Sequence, residues 1–171
     1  MAPGAGSMIR NADIASRFSE IADLLELEGG NDFRIRAYRN AADVVEDLQL
    51  DLAACIAEGR ELPKLPGIGA DLAAKIAEIC ATGTCAALEE LRARFPPGIT
   101  EVLRVPGLGP KRVALLHAKL GIGSLADLKR AAEDGKLREL QGFGEKTERR
   151  ILEAVEARLA KRDRGGAGPA G

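Results

Sequence analysis

Leu65-Pro66-Gly67-Ile68-Gly69, Val105-Pro106-Gly107-Leu108-Gly109 and Leu140-Gln141-Gly142-Phe143-Gly144 are three copies of one short phrase in a chain of 171 residues. Each copy has an apolar residue two positions before its first glycine and another between the two glycines. A further apolar residue stands nine positions after the first glycine, at Ile76, Leu116 and Ile151. A single glycine-apolar-glycine triplet could belong to any tight turn, but three copies in common register are an internal repeat. The first glycine can take the left-handed backbone that a tight turn demands, and the second removes a Cβ where a ligand must come close to the main chain. The residue between them is free to plug into the core beneath. What stays outside is the start of a helix, whose unpaired N–H groups and positive dipole end suit one phosphate oxygen.

On either side of the three turns the sequence reads as helix. Ile14, Phe18, Ile21 and Leu25 form one amphipathic stripe. Asn11 is the expected N-cap and Gly29-Gly30 the stop. A second helix follows Asn31 and carries Phe33, Ala37, Ala41, Val44 and Leu48. Further helices are predicted over 52–58, 71–81, 86–95, 99–103, 110–120, 124–133, 136–140 and 145–160. No polar–apolar alternation lasts long enough for a strand. The expected fold is all-α, with two small helical domains carrying the three hairpins. Phe95-Pro96-Pro97-Gly98 is the boundary, because two prolines and a glycine cannot continue a helix. The domains then cover 11–95 and 96–162, with disordered Gly/Ala/Pro-rich tails at 1–10 and 163–171.

Composition narrows the function. The chain is 46% hydrophobic but only 3% aromatic, with no tryptophan and Tyr38 alone among tyrosines, so its core must be aliphatic. A binder that stacks single-stranded bases needs several aromatic platforms and is not expected. His117 is the one histidine, which excludes a two-histidine zinc site; neither zinc nor a nucleotide cofactor is expected. Cys55, Cys80 and Cys85 are odd in number, with no export signal ahead of them, and read as small buried residues in a reducing cytoplasm. No run approaches the roughly 20 apolar residues that span a bilayer, so no membrane contact is expected, and the protein should be cytoplasmic and nucleoid-associated. Net charge is −1 overall, yet from Arg104 onward 15 basic residues face 9 acidic ones. A basic half beside phosphate-sized turns is the footprint of a polyanion partner.

The copies are not equal. Four residues after the first glycine stand Lys111 and Lys146 in copies two and three, but Asp71 in copy one. Arg112, Arg149 and Arg150 reinforce the later copies, while Lys64 and Lys75 support the first. Copies two and three should therefore give most of the affinity through counterion release. The Asp43, Glu46, Asp47, Asp51 cluster reads as a solvated helix face, and His117 as a boundary histidine.

The repeated phrase resembles the helix-hairpin-helix motif, which grips the DNA backbone. The resemblance widens to the family X DNA polymerases. Residues 11–30, Phe33-Arg34-Ile35-Arg36-Ala37-Tyr38-Arg39 and 62–83 resemble their N-terminal lyase-type domain, and 97–152 the fingers region that follows it. It implies a sequence-independent DNA-binding protein acting on duplex, gapped or nicked DNA in repair, with repair proteins as further partners; oligomeric state is not implied. The DNA contacts would come from Gly67, Gly69, Gly107, Gly109, Lys111, Arg112, Gly142, Gly144, Lys146 and Arg149. Arg34 and Tyr38 match a 5′-phosphate pocket, and Lys75 matches the family's Schiff-base lysine, so a 5′-deoxyribose-phosphate lyase is the alternative reading. Partial burial at a helix edge would lower the Lys75 pKa toward the neutral amine that this chemistry needs. Asp71 and Ala87, however, stand where better-known members carry lysines. The resemblance also implies a monovalent cation, K⁺ or Na⁺, on the backbone carbonyls of Pro63, Leu65 and Ile68 and of Leu103, Val105 and Leu108; by register, copy three would use Arg138, Leu140 and Phe143. The family's nucleotidyl-transfer palm needs an Asp-x-Asp pair to hold two metals, and none occurs in the 171 residues. Polymerisation by this chain alone is not expected, and a palm-less fragment or remnant of such an enzyme stays open.

Overall fold

The computed structural model describes residues 9–167. Among these there are nine α-helices, one turn of 3-10 helix and no strand. The chain divides into two compact units, one ending at Arg94 and the other beginning at Phe95.

The first unit holds α1 (Asn11–Leu27), α2 (Asp32–Asp47), α3 (Leu52–Ala57), α4 (Ala70–Thr82) and α5 (Ala86–Ala93). The stripe expected on α1 is its core: Ile14, Phe18 and Ile21 are fully buried and Leu25 nearly so. Phe18 lies against Tyr38 of α2 with ring centroids 5.8 Å apart. α2 begins as expected, the Asn31 side chain accepting hydrogen bonds from the Phe33 and Arg34 amides. α1 does not, because its N-cap is Arg10 rather than Asn11. The Asn11 amide serves the link between α2 and α3 instead. Its Nδ2 donates to the Leu48 and Leu50 carbonyls, and its Oδ1 accepts from the Leu52 N–H. One side chain thus satisfies three backbone groups that no regular element would pair. Glu20, 6% exposed, takes both of its carboxylate oxygens to Arg92 of α5, from Nε and Nη2 at 2.7 Å each.

The second unit holds α6 (Ile99–Leu103), α7 (Pro110–Leu120), α8 (Leu125–Glu133), the 3-10 turn Leu137–Glu139 and α9 (Glu145–Ala167). Val102, Val113, Leu116, Leu128, Leu137 and Val155 are fully buried together. Ser124 caps α8 by accepting from the Asp127 N–H. The helix expected over 136–140 shrinks to the 3-10 turn. The last helix is longer than expected and carries into the segment assigned to a tail from 163. Its charged run is made of strong helix formers and is fastened to the neighbourhood of α6, Arg158 donating to the Arg104 carbonyl at 2.8 Å and Arg162 to Glu101 at 2.7 Å. The rest of the expected tails, 1–8 and 168–171, lies outside the described residues. No helix among the described residues is long and apolar enough to cross a membrane.

Candidate nucleic-acid interface

The three phrases fold into one turn, repeated. In each, the N–H of the residue between the glycines donates to the carbonyl three residues back: Ile68 to Leu65 at 3.1 Å, Leu108 to Val105 at 3.0 Å, Phe143 to Leu140 at 3.1 Å. The first glycine is left-handed each time, with φ of +76° at Gly67, +90° at Gly107 and +91° at Gly142. The carbonyl of the second glycine then accepts the first bond of a helix, from Ala73, Val113 and Glu148. The residue between the glycines fills the core in copies two and three, where Leu108 and Phe143 are buried, but only half-buries at Ile68. Copy one is the lone hairpin of its unit, and Leu62, Leu65, Ile68, Ala73 and Ile76 line an apolar groove beside it.

The helix starts divide by cap, those of α5 and α6 also lacking a side-chain cap from their N-cap residues. α2, α3 and α8 are capped by the side chains of Asn31, Asp51 and Ser124. α4 and α7 start on Gly69 and Gly109, with no side-chain cap. The first N–H groups of a helix have no partner within it, so α4 and α7 leave such donors without an intrahelical bond, Pro110 contributing none to α7. The glycines themselves are not demanded by the fold. Gly69 (φ −94°) and Gly109 (φ −103°) have extended backbone that any residue adopts. A Cβ built at Gly69, Gly109 or Gly144 would meet nothing within 4 Å. Gly67 differs, since a Cβ there would collide with the Asn40 side chain, whose Nδ2 reaches the Pro66 carbonyl at 3.3 Å.

The charged residues separate into two kinds. Lys111 and Lys146 are exposed at the starts of α7 and α9. Arg149 is also exposed, 3.9 Å from Glu145 on its own helix. Arg112 is half-buried and already engaged with the two turns. Its Nη1 donates to the Gly107 carbonyl at 3.1 Å, its Nη2 to the Gly142 carbonyl at 3.2 Å, and the guanidinium lies 5.1 Å from the centre of the Phe143 ring. Arg34 is exposed on α2, whereas the ring of Tyr38 is buried against Phe18.

Lys75 departs from its expected chemistry. Burial weakens its ammonium, but a hydrogen bond to Asp71 Oδ2 at 2.9 Å and the charge of that carboxylate raise it again, holding the pKa above the ordinary 10.5. The amine is therefore stabilised as a cation, the reverse of what nucleophilic attack requires. The same bond shows where the opposing charge of copy one goes: Asp71 neutralises Lys75.

Among the remaining candidates, His117 is half-buried with Nδ1 3.0 Å from the Ile122 carbonyl. Cys55 and Cys85 are buried and Cys80 half-buried, and burial pushes the thiols of Cys80 and Cys85 up. Asp43, Glu46, Asp47 and Asp51 are all exposed, Asp51 capping α3 as well. No group of three or more His, Cys, Asp or Glu that could hold a metal ion occurs among the described residues. Sequence reasoning missed Asn40 and the reach of Arg112 to Gly142, because both depend on contacts 26 and 30 residues away along the chain. It also missed Glu148, buried beneath hairpin three and held by the Arg138 backbone N–H and guanidinium.

Similar proteins agree with this geometry. A helix-hairpin-helix domain matches residues 9–85, and a SAM-like helix-hairpin-helix tandem matches 99–157. Over 143 residues the chain is 36% identical to the DNA polymerase/3′-5′ exonuclease PolX of Bacillus subtilis (strain 168). The match takes in 84% of this chain and 24% of that protein, so the chain spans about a quarter of its relative's length. One hairpin module before Phe95, a tandem after it and this identity along most of the sequence agree on a DNA-binding context: the chain carries helix-hairpin-helix modules and is similar, over most of its length, to a quarter of a PolX DNA polymerase.

Proposed function

We propose that this chain holds DNA by its phosphate backbone, without reading base sequence, through the turns at Gly67–Gly69, Gly107–Gly109 and Gly142–Gly144. One observation carries the reading: the second glycine of each turn faces open space, and at Gly69 and Gly109 it begins a helix that no side chain caps. Neither packing nor, at those two positions, backbone conformation needs glycine, so a close external approach explains it. Phosphate contacts fix register on the duplex and carry no base information. The substrates proposed are duplex, nicked and gapped DNA, in a repair role alongside the synthetic chemistry that the relative's name describes.

The second unit gives the larger share of affinity, because Lys111 and Lys146 stand at its turns whereas the cation of copy one is tied to Asp71. A monovalent cation beneath the turns belongs to the same proposal. The Leu65, Val105 and Leu140 carbonyls each accept one turn hydrogen bond, and a carbonyl oxygen has a second lone pair to offer. With Pro63 and Ile68, Leu103 and Leu108, or Arg138 and Phe143, they form oxygen-only sets suited to a hard ion such as K⁺ or Na⁺.

A salt titration with plain duplex and with gapped duplex tests the reading. Affinity should fall steeply and linearly on a log–log plot, with slopes that do not depend on base sequence. Absence of binding at low salt, or strong dependence on base sequence, contradicts it. The lyase reading would need a neutral amine at Lys75, which the ion pair with Asp71 opposes; borohydride trapping on an incised abasic substrate should give no adduct at neutral pH.

A further inference from the structure

We propose that Arg112 is a positioning residue that locks hairpins two and three into a single two-phosphate site. The inference rests on the DNA-backbone reading above. The two acceptors of its guanidinium are equivalent atoms: the carbonyl of the first glycine in hairpin two, Gly107, and the carbonyl of the first glycine in hairpin three, Gly142. Both glycines carry nearly the same left-handed φ, +90° and +91°. The guanidinium also covers the ring of Phe143, the residue between the glycines of hairpin three. One side chain therefore touches the turn of each hairpin and the core plug of the second.

An arginine fork presents donors at fixed separation and stacks on aromatic faces, which a lysine ammonium cannot do for two distant acceptors at once. Position matters as well. Five residues after the first glycine, copy one has Leu72 and copy three has Thr147, so a single arginine serves the pair of turns in the second unit. Two turns held at fixed spacing bind one DNA as a bivalent ligand, the second contact forming at high effective concentration. Released from each other, they keep their amides and lysines but lose that advantage.

The test compares Arg112→Lys with Arg112→Gln on one duplex long enough to meet both turns, with Gly109→Ala and Gly144→Ala introduced singly and together. The lock predicts that Lys and Gln at 112 weaken binding alike, by about tenfold, with the salt slope unchanged. It also predicts that the non-additivity between Gly109→Ala and Gly144→Ala, present in the unmodified protein, disappears in Arg112→Lys. Phe143→Leu, which removes the stacking ring but keeps an apolar plug in the core, should show a smaller loss in the same direction; with its folding checked by urea midpoint, it serves as the second variant should Arg112→Lys unfold. If Arg112→Lys binds like the unmodified protein while Arg112→Gln lowers the salt slope by about one, Arg112 is a phosphate contact and the lock is wrong. Unaltered coupling in both Arg112→Lys and Phe143→Leu would also overturn it. If Gly109→Ala and Gly144→Ala leave binding untouched in the unmodified protein, the DNA-backbone reading itself fails, and the lock with it.

Discussion

Gly109 and Gly67 occupy neighbouring roles in two copies of the same turn, yet an added methyl should do opposite things to them. At Gly109 the backbone is extended and the space before it open. Gly109→Ala should give up only the N-cap preference of glycine over alanine, about 0.5 kcal/mol, while weakening DNA binding. At Gly67 the φ of +76° disfavours any side chain, and Asn40 blocks the Cβ. Gly67→Ala should cost about 1 kcal/mol or more of folding free energy before any effect on binding is read. Urea midpoints and duplex affinities, measured on both variants, check the contrast; matching stability losses would contradict it. Lys75 carries the second expectation at this scale. Asp71 is the charged partner that holds its pKa up, so Asp71→Asn should lower the Lys75 pKa in an Nζ-detected titration. Because folding raises this pKa, the pair stabilises the fold fully at pH below the lysine's ordinary 10.5, and that contribution is lost as pH rises through the folded value. A Lys75 pKa unchanged or higher in Asp71→Asn would contradict the assignment.

Between elements, the strongest polar link in the first unit joins α1 to α5 through Glu20 and Arg92. Its two ends are unequal, Glu20 buried and Arg92 39% exposed. Removing the arginine strands a buried carboxylate, whereas removing the carboxylate frees an arginine that water can reach. Arg92→Ala should therefore destabilise by about 2–3 kcal/mol, toward the low end for a broken buried pair because Arg92 is partly solvated, and Glu20→Gln by less; equal losses would mean that burial of Glu20 is not what matters. The elements were largely legible in the sequence wherever local chemistry decides them. Asn31 and Ser124 cap their helices, Gly67, Gly107 and Gly142 bend the turns, and the Ile14–Leu25 stripe is the core face of α1. The spacing of the three hairpins was legible for the same reason, since a left-handed glycine and an apolar plug are properties of a few adjacent residues. What escaped was set by long-range partners. Asn11 reads as a cap until the 48–52 link claims its amide. Arg112 reads as a phosphate contact from its spacing, and its reach to the Gly142 carbonyl cannot be read from adjacent residues. Lys75 reads as a depressed amine when burial is considered without Asp71 one turn away.

Across the whole molecule, a near-neutral total of −1 conceals an acidic beginning and a basic second half. The units should therefore contribute differently to DNA affinity. Charge removal at Lys111 or Lys146 should each lower the salt slope by about one, with base-sequence preference unchanged. Lys75→Gln should leave the slope nearly unaltered, since that ammonium already has a carboxylate partner; an equal drop at all three lysines would mean that the hairpins are equivalent. Replacing K⁺ by a bulky organic cation at equal ionic strength should weaken binding if carbonyl-bound ions complete the sites, and unchanged affinity would remove the cation from the account.

In the proposed complex, open amides at the helix starts meet phosphate. Amide-detected NMR during titration with a short duplex reads those groups directly. The account predicts downfield movement of the Gly109, Lys111, Gly144 and Lys146 N–H signals, the same for duplexes of unrelated sequence. Binding that leaves these four amides unmoved, with the shifts gathered elsewhere or changing with base sequence, would contradict it.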